Sequence, residues 1–336
     1  MRTCQLQNTF GIDSLSIVDQ PVPAVGPGQV LVRMTAWSLN YRDLMTVTGT
    51  YNPKMKLPVT PLSDGVGEVI EVGAGVTRVT AGDRVAGIFM EDWINGELNA
   101  AAAKSARGGA IPGQLAEYVV MKADGVVLVP EHLSDEEAAT LPCAAVTAWH
   151  GLVTDGDITA DDIVLTLGTG GVSLFAAQFA IAIGAKVIGT SGSDEKLQRL
   201  RDLGVSDTIN YRKTPDWSAR VLELTRGTGV DHVVEVGGAG TLPQSLQAVR
   251  MGGQISLIGV LSEPGSAINP IPILMKGVRV QGIYVGSRVM FESMNTFIAK
   301  HKLRPVVDRV FAFDDVREAF RHMQSGAHFG KIVIRH

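Results

Sequence analysis

The spacing of apolar and polar residues changes near residue 128. Before that point, short strand-like runs are separated by proline and glycine; they cover residues 29–36, 65–72, 84–88 and 116–121. In residues 66–72 apolar and polar side chains nearly alternate, which is typical of a half-buried strand. Short strands at close spacing with turn signals between them predict a compact β-rich or barrel-like domain.

After residue 128 the pattern becomes helical. Ser134, followed by acidic residues, is typical of a helix N-terminus, and we expect a helix over residues 135–152. Strands and helices then alternate: strands at 163–167, 186–190, 207–209, 230–236, 254–258 and 279–285, and helices at 171–183, 194–203, 215–225 and 241–249. This alternation predicts a doubly wound parallel sheet.

Two segments do not fit the alternation. Residues 91–113 combine glycine, asparagine and an alanine run, and we expect a surface excursion or lid that is partly mobile. The tail, with helices near 291–301 and 314–324 and a strand at 331–335, is expected to return to the first domain. The predicted domains are therefore residues 1–128, residues 129–285 and a C-terminal segment, 286–336.

A glycine turn lies between the first strand and helix of the second domain. Gly168, Gly170 and Ser173 match the dinucleotide fingerprint G-x-G-x-x-G with serine in the last place. Gly168 permits a tight turn and Gly170 lets the backbone approach a pyrophosphate, which the helix N-terminus attracts. We therefore predict a dinucleotide site that includes Thr169, Gly171 and Val172. The alternative is a purely structural glycine turn in another α/β sheet.

The end of the second strand indicates which dinucleotide binds. An NAD site usually has Asp or Glu there to hold the ribose 2′-hydroxyl. This chain has hydroxyls and a lysine instead, at Ser191, Ser193 and Lys196. These groups suit a 2′-phosphate, whereas Asp194 and Glu195 are expected to point away in the next helix. The prediction is NADP(H); the alternative is that the serines only begin a helix and Lys196 is solvated.

Composition excludes several classes of protein. The chain has 336 residues, of which 45% are hydrophobic and 19% charged, with a net charge of −4. This balance gives no electrostatic case for nucleic acid or an anionic membrane. With only Cys4 and Cys143, a disulfide framework is excluded. Residues 174–185, the longest apolar stretch, are too short to span a bilayer. We expect a cytoplasmic protein without nucleic-acid or membrane partners.

Several separated motifs resemble the medium-chain dehydrogenase/reductase superfamily over nearly the full length. They lie at residues 27–32, 40–43, 63–69, 82–85, 141–149 and 168–173. The resemblance implies an α/β protein in which a GroES-like β-rich catalytic domain is split around a Rossmann domain. It also implies a homodimer or tetramer, in which a late strand near residues 278–285 pairs across the two-fold axis.

The departures from that superfamily concern zinc. Its alcohol dehydrogenases hold a catalytic zinc with Cys, His and Cys, and the corresponding positions here are Asn40, Ser63 and Cys143. Amide and hydroxyl oxygens with one sulfur make a poor zinc site, although Asp64 is a possible substitute ligand. Residues 91–113, in the place of the structural-zinc lobe, contain no cysteine. The resemblance is therefore to the zinc-free quinone oxidoreductase and enoyl reductase branch.

Without a Lewis acid, the better substrates are already electrophilic. A zinc ion would lower the pKa of an alcohol, whereas quinones and α,β-unsaturated carbonyls accept hydride from NADPH by positioning and hydrogen bonding. We predict a reductase of such small molecules, with the proton supplied by tyrosine or water. The alternatives are an alcohol dehydrogenase with an unusual metal at Cys143 and Asp64, and an NADPH-binding crystallin-like protein with little turnover.

The resemblance also suggests catalytic residues. Asn40 is placed beside the nicotinamide, where it orients cofactor or substrate; the alternative is a turn-forming asparagine. Tyr41 and Tyr51 are candidate donors to a substrate oxygen, or else packing residues. Ser63 and Asp64 are expected to form a polar floor, although Asp64 is equally plausible as a structural acceptor. The adjacent Arg42 and Asp43 are interpreted as a structural ion pair.

The remaining candidates concern the cofactor. By resemblance, Thr147 approaches the nicotinamide and Tyr211 lies near the 2′-phosphate. Residues at the carboxyl ends of later strands, where ligands collect in open sheets, are Gly237, Gly259 and Val260. Phe329 and Lys331 resemble the segment that closes over the cofactor, with a plain surface charge as the alternative for Lys331.

Overall fold

The computed structural model describes residues 1–259, 261 and 268–336, and it divides into two compact units. The first unit contains residues 1–146 and 286–336, and the second contains residues 147–285. The sequence analysis placed the first boundary at residue 128. Residues 129–146 pack with the first unit instead, where Arg84 binds the carbonyl oxygen of Leu133 at 3.0 Å and the carboxylate of Asp135 at 2.6 Å.

The bounds of the strands and helices are as follows. The strands are β1 (Arg2–Leu6), β2 (Leu15–Asp19), β3 (Gln29–Ser38), β4 (Asp64–Val72), β5 (Arg84–Gly87), β6 (Tyr118–Lys122), β7 (Val126–Leu128), β8 (Ile163–Thr166), β9 (Lys186–Ser191), β10 (Asp207–Asn210), β11 (Val230–Glu235), β12 (Val249–Leu257), β13 (Arg279–Gly282), β14 (Val307–Ala312) and β15 (Lys331–Arg335). The helices are α1 (Tyr41–Val47), α2 (Ala100–Ala103), α3 (Asp135–Ala138), α4 (Val146–Trp149), α5 (Gly171–Ile183), α6 (Asp194–Asp202), α7 (Trp217–Leu224), α8 (Leu242–Ala248), α9 (Ile271–Lys276), α10 (Arg288–His301) and α11 (Val316–Gln324).

The first unit is built on a β-sheet of seven strands. Its order is β14-β15-β3-β4-β5-β7, with β6 also paired to β3, while β1 and β2 form a separate antiparallel pair. The C-terminal strand β15 pairs antiparallel with β3, so the tail returns to this unit. Trp37, Leu39, Phe320 and Ile332 belong to its buried apolar core. The register of β15 on β3 brings the C-terminal segment to the end of β3 that precedes α1.

The second unit is a doubly wound parallel sheet. Its six strands run in the order β10-β9-β8-β11-β12-β13, and every neighbouring pair is parallel. The predicted α/β fold class is confirmed. Because the chain order reverses between β8 and β11, the carboxyl ends of these two strands mark the switch point where ligands bind in open α/β sheets.

Several sequence expectations about local structure were wrong. The helix predicted over residues 135–152 is instead broken into α3, a π-helical turn (Leu141–Ala145), α4 and a second π-helical turn (His150–Thr154). Pro142 contributes to this break because it lacks a backbone N–H. The strands β1, β2, β7 and β14 and the helices α1 and α9 were not predicted.

The segment 91–113 is an excursion with an exposed middle, residues 95–101, and with packed ends. Glu91 and Arg107 are buried and form an ion pair. A Cβ atom on Gly113 would lie 2.1 Å from the carbonyl oxygen of Pro61, so the two backbones pass in close contact. The C-terminal part of the segment is therefore packed against residues 60–64. Across the part of the chain that the structure describes, no helix combines the length and apolar character needed to cross a membrane.

Candidate active site

The glycine turn after β8 has the geometry of an anion site. Gly168 has φ +72°, which favours glycine, and Gly170 is the extended residue before α5. At both positions, no other atom of the described residues lies within 4 Å of where a Cβ would stand. No side chain caps α5 in the described structure. Free backbone donors at a helix start, with open space above two glycines, fit a pyrophosphate.

The third position of the fingerprint has a structural role. Ser173 is buried, and its hydroxyl donates to the carbonyl oxygen of Leu167 at 2.6 Å. Gly168 in turn donates its backbone N–H to the Thr190 hydroxyl at 3.2 Å. These bonds tie the turn to the first strand, β8, and the second, β9. The predicted glycine turn is therefore present at the switch point, and these hydrogen bonds hold it in place.

The hydroxyls after β9 are used locally. Ser193 caps α6 by accepting the backbone N–H of Lys196 at 3.3 Å, and its own N–H donates to the Ser191 hydroxyl at 3.2 Å. Asp194 binds Lys213 at 2.5 Å and Asn210 at 2.7 Å. The expectation that Asp194 points away stays a prediction, because its two partners lie at the end of β10 and just after it.

A basic residue that the sequence analysis missed lies beside these hydroxyls. A Cβ on Gly192 would stand 2.8 Å from the Arg212 Nε and 2.9 Å from the Tyr211 hydroxyl. Both side chains are exposed and thus available to a ligand. A guanidinium suits a phosphate because its planar donors match the phosphate oxygens. Arg212 directly follows the predicted Tyr211, and its adjacency was the signal that could have found it.

The loop after β11 is braced by a buried carboxylate that was also missed. Glu235 is fully buried and accepts hydrogen bonds from the backbone of Gly237 at 2.8 Å and Gly238 at 3.0 Å. The hydroxyls of Thr241 and Ser245 donate to the same carboxylate at 2.6 and 2.5 Å. Protein donors therefore make as many hydrogen bonds to this carboxylate as it has lone-pair sites, which is about four.

At two further predicted cofactor positions, Gly237 and Gly259, close packing requires glycine. A Cβ on Gly237 would lie 2.3 Å from the Thr241 hydroxyl, and one on Gly259 would lie 2.3 Å from the Val236 carbonyl oxygen. Any side chain at either position would force neighbouring atoms apart. Val260, the residue predicted beside Gly259, lies outside the described residues.

The other cofactor candidates are buried. Thr147 lies on the short helix α4 and is 3% exposed. Phe329 is in the core of the first unit, and its backbone N–H donates to Asp308 at 2.9 Å. The structure thus assigns Phe329 a packing position, and the proposed cofactor contact of its side chain has no direct support. Its role and that of Thr147 stay predictions.

In the first unit, three predicted residues meet in one buried network. Asn40 begins α1 and forms a capping box with Asp43, whose carboxylate accepts the Asn40 backbone N–H at 2.8 Å. The Asn40 Nδ2 lies 3.5 Å from the Ser63 hydroxyl, which donates to the Asp64 carboxylate at 2.7 Å. The second Asp64 oxygen accepts the backbone N–H of Cys143 at 3.2 Å.

A buried ammonium completes this network. Lys331 is 4% exposed, and its Nζ donates to the Leu39 carbonyl oxygen at 2.6 Å and to Asn40 Oδ1 at 2.5 Å. The alternative interpretation of Lys331 as a plain surface charge was wrong. We refer to Asn40, Ser63, Asp64 and Lys331 as the polar cluster. Its members come from three separated parts of the sequence.

Burial dominates the electrostatics of the polar cluster. Removal from water raises the pKa of Asp64 to about 6, and the Lys331 ammonium and hydrogen bonds from Asn40 and Ser63 only partly oppose this. Burial also raises the pKa of the Cys143 thiol, and the neighbouring Asp64 adds to that effect. A carboxyl that titrates near neutral pH beside a fixed ammonium is the kind of perturbed group found at functional sites.

These residues do not fit a catalytic zinc ion. Asn40 Oδ1 already accepts from the Lys331 ammonium, and the Ser63 hydroxyl is a donor to Asp64. A cation bound at these atoms would have to displace an ammonium, and only Asp64 and Cys143 could offer an anionic ligand. Among the described residues there is no group of three or more His, Cys, Asp or Glu side chains that could hold a metal.

The two predicted tyrosines lie outside the polar cluster. Tyr41 and Tyr51 are 46% and 40% exposed. The Arg42 guanidinium stands 5.0 Å from the Tyr51 ring and 5.1 Å from the Phe89 ring. Arg42 also binds Asp43 at 3.1 Å, which confirms the predicted structural ion pair. The donor roles of both tyrosines stay predictions.

One unit is a parallel sheet with a glycine turn at its switch point, and the other is a β-rich unit with a buried polar cluster. This combination in one chain is typical of nucleotide-dependent oxidoreductases. Residues 26–131 match the alcohol dehydrogenase GroES-like domain family, and residues 171–300 match the zinc-binding dehydrogenase family. The chain belongs to the medium-chain dehydrogenase/reductase superfamily, and it is an oxidoreductase of that superfamily.

Two curated relatives cover nearly the whole chain. A zinc-type alcohol dehydrogenase-like protein of Schizosaccharomyces pombe is 45% identical over 332 residues, covering 97% of this chain and 96% of the relative. An acryloyl-coenzyme A reductase of Metallosphaera sedula is 28% identical over 324 residues and covers 94% of each.

Two solved structures illustrate the range of activities in similar folds. An NAD-dependent alcohol dehydrogenase has a TM-score of 0.91 and 32% identity, covering 100% of both chains. A mycobacterial quinone oxidoreductase has a TM-score of 0.83 and 26% identity, also with 100% of both chains covered, and its structure is known in complex with NADPH.

Proposed function

We propose that this protein is an NADPH-dependent reductase of quinones or α,β-unsaturated carbonyl compounds that works without a catalytic zinc. The observation that carries the proposal is the Lys331 ammonium bound to Asn40 Oδ1 inside the polar cluster. Asn40 corresponds to a zinc ligand of alcohol dehydrogenases, and the ammonium places a fixed positive charge beside it. A zinc ion serves an alcohol dehydrogenase by lowering the pKa of the alcohol. The reduction of an acceptor that is already electrophilic does not need that effect.

The nucleotide preference is supported by the second unit. The open glycine turn at Gly168 and Gly170 fits a pyrophosphate. Tyr211 and Arg212 beside Gly192 offer a hydroxyl and a guanidinium where an NAD site would have a carboxylate. The mycobacterial quinone oxidoreductase bound to NADPH has the same overall fold.

When bound, NADPH would supply the hydride. The acceptor would gain two electrons with that hydride and a proton from water or a tyrosine, which leaves a hydroquinone or a saturated carbonyl compound. The protein's contribution would be to hold the acceptor oxygen by a hydrogen bond from Asn40 Nδ2, since the Ser63 hydroxyl already donates to Asp64. Donors that are fixed before the reaction stabilise the negative charge that develops on such an oxygen.

The direct test is a turnover assay with purified protein. NADPH and NADH should be compared, by loss of reduced-nucleotide absorbance, against a panel of quinones, enones and unsaturated thioesters. We expect turnover of at least one class with a clear preference for NADPH, and a strong reduction in Asn40→Ala. Tight NADPH binding without turnover of any acceptor would contradict the proposal and favour a nucleotide-binding protein.

An alcohol dehydrogenase is the second candidate, favoured by the zinc-binding dehydrogenase match and by the alcohol dehydrogenase relatives. Metal analysis of protein purified without chelators separates the two. Stoichiometric zinc, together with alcohol oxidation that a chelator abolishes, would support the dehydrogenase and contradict the zinc-free reductase.

We also propose that the protein is a homodimer that pairs through β13. Within the described residues, β13 is the last strand of its sheet and pairs only with β12. The preceding helix α9 exposes three large apolar side chains, Ile271, Leu274 and Met275. An open edge beside apolar surface favours pairing with another copy. Light scattering should give a dimer for the natural protein and a monomer for Leu274→Glu; a natural monomer would contradict the proposal.

A further inference from the structure

We propose that Lys331 is a positioning residue for the reaction: its ammonium fixes the Asn40 amide so that Nδ2 presents its N–H donors toward the Ser63 side of the polar cluster, where the substrate carbonyl oxygen is bound. This inference rests on the proposed reductase function and deepens it.

The burial of Lys331 makes a purely incidental placement costly. An ammonium that is 4% exposed has lost most of its hydration, and such a charge is retained only when it is paired and hydrogen-bonded. The Leu39 carbonyl oxygen and Asn40 Oδ1 accept two of its donors. The nearby Asp64 provides the opposite charge.

The ammonium determines the orientation of the Asn40 amide. Lysine can only donate, so the atom that faces it must be the amide oxygen, and Nδ2 must face the other way. The Asn40 backbone is held independently, because its N–H donates to Asp43 at 2.8 Å in the capping box of α1. The amide thus has both its position and its direction set by other residues.

Asn40 Nδ2 has two N–H groups: one donates to Asp64, and the other makes a contact that is weak enough to be exchanged. Asn40 Nδ2 lies 3.5 Å from the Ser63 hydroxyl, beyond the usual range for an N–H to oxygen hydrogen bond. A carbonyl oxygen of a substrate could take this donor at small cost. The Lys331 charge on the amide oxygen polarises the amide and strengthens donation from Nδ2.

Among the described charged groups around the Asn40 amide, Lys331 is the cation that is hydrogen-bonded to it. From α1, Arg42 is paired with Asp43. From β4, Asp64 faces the ammonium, and the Cys143 thiol, whose pKa is raised, stays protonated at neutral pH. Addition of hydride to an enone places negative charge on the carbonyl oxygen until a proton arrives, and an amide donor held in a fixed direction stabilises that oxyanion.

The first test separates positioning from cofactor binding. Lys331→Met should lower kcat about 10- to 100-fold, while the Kd for NADPH stays within about threefold of the natural value. Lys331→Arg, which keeps the charge, should recover part of kcat, and the exposed Lys300→Met should behave as the natural protein. A rise in the NADPH Kd as large as the loss of kcat would overturn the inference and assign Lys331 to the nucleotide.

A double-mutant cycle tests whether Lys331 acts through Asn40. If it does, the double variant Asn40→Ala with Lys331→Met should lose no more kcat than Asn40→Ala alone, because the amide that Lys331 orients is already absent. Losses that multiply in the double variant would show two independent roles and overturn the inference.

A third measurement needs no turnover. The titration of Asp64, followed by carbon-13 NMR of the aspartate carboxyls, should move to higher pH in Lys331→Met because the opposing ammonium is gone. An unchanged titration would contradict the placement on which the inference depends. If the natural protein reduces no acceptor but this shift occurs, the proposed function fails while the ammonium contact stands; if reduction occurs without the shift, only the inference fails.

Discussion

Glu235 in the second unit and Asp64 in the first are both fully buried carboxylates, and they are used differently. Glu235 in the second unit accepts four hydrogen bonds, from two backbone N–H groups and two hydroxyls. Asp64 in the first unit accepts from Ser63, Asn40 and the Cys143 backbone, and it stands near the Lys331 ammonium. Equal burial therefore does not imply an equal role.

The difference lies in how fully each group is satisfied. A carboxylate whose acceptor sites are filled by fixed donors acts as a brace, and here it holds the loop after β11. Burial raises the pKa of Asp64 to about 6, because the Lys331 ammonium and the donors around the carboxyl offset only part of the lost hydration. Such a group can exchange protons or partners near neutral pH. Two substitutions test this contrast, and two with smaller expected effects test the nucleotide site that the Glu235 loop adjoins in the second unit.

Glu235→Gln should give the largest change. The amide presents N–H groups to donors that lose their acceptor, so we expect the free energy of unfolding to fall by about 4 kcal/mol. Denaturant unfolding measures it. The exposed Glu223→Gln, which loses only a surface pair with Arg220, should change it by less than about 1 kcal/mol. If Glu235→Gln is as stable as that control, Glu235 does not brace the loop after β11, and the contrast with Asp64 fails.

Asp64→Asn should change the pH dependence of stability. Because the pKa of Asp64 is raised from 3.8 to about 6 on folding, its contribution is fully present below pH 3.8 and is lost as the pH rises through about 6. The free energy of unfolding of the natural protein should therefore fall by up to about 3 kcal/mol between pH 4 and pH 7 relative to the variant. Parallel stability curves for the two proteins would contradict a raised pKa.

Gly170→Ala should weaken the nucleotide without weakening the fold. The added methyl would meet no described protein atom within 4 Å, but it would enter the space assigned to the pyrophosphate. An overlap of this kind costs about 1–3 kcal/mol, or about 10- to 100-fold in the Kd for NADPH. Titration calorimetry measures it, with Gly282→Ala as control because its Cβ position is equally open. Equal affinities would refute the pyrophosphate assignment.

Arg212→Gln should have the smallest effect and the most selective one. Loss of charge-assisted bonds should raise the Kd for NADPH about tenfold, while the Kd for NADH changes little because it has no 2′-phosphate. The surface variant Arg220→Gln serves as control. Equal weakening of both nucleotides would mean that Arg212 does not distinguish them.

The second unit could be predicted closely because its signals are local. The glycine turn, the end of α5 at Ile183 and the strand beginning at Lys186 were predicted where the structure has them. Each depends on the order of apolar runs and glycines within about thirty residues. By contrast, β1 and β2 pair with each other across a turn that carries no regular alternation, and that pairing was missed.

The polar cluster was only partly predictable. Resemblance identified Asn40, Ser63 and Asp64, but the bond from Lys331 to Asn40 joins residues 291 positions apart. No periodicity in a single sequence reports such a contact, because it depends on the antiparallel register of β15 on β3. Glu235 was missed for a different reason: its partners are backbone groups and hydroxyls, which carry no distinctive pattern.

The π-helical turn at Leu141–Ala145 directs the backbone N–H of Cys143 to Asp64. Burial raises the pKa of that thiol, and it raises that of Cys4 to about 12. At neutral pH neither sulfur supplies much thiolate, the form that reacts with alkylating reagents. A single cysteine introduced on the surface could therefore carry a fluorophore or spin label while both native cysteines remain in place.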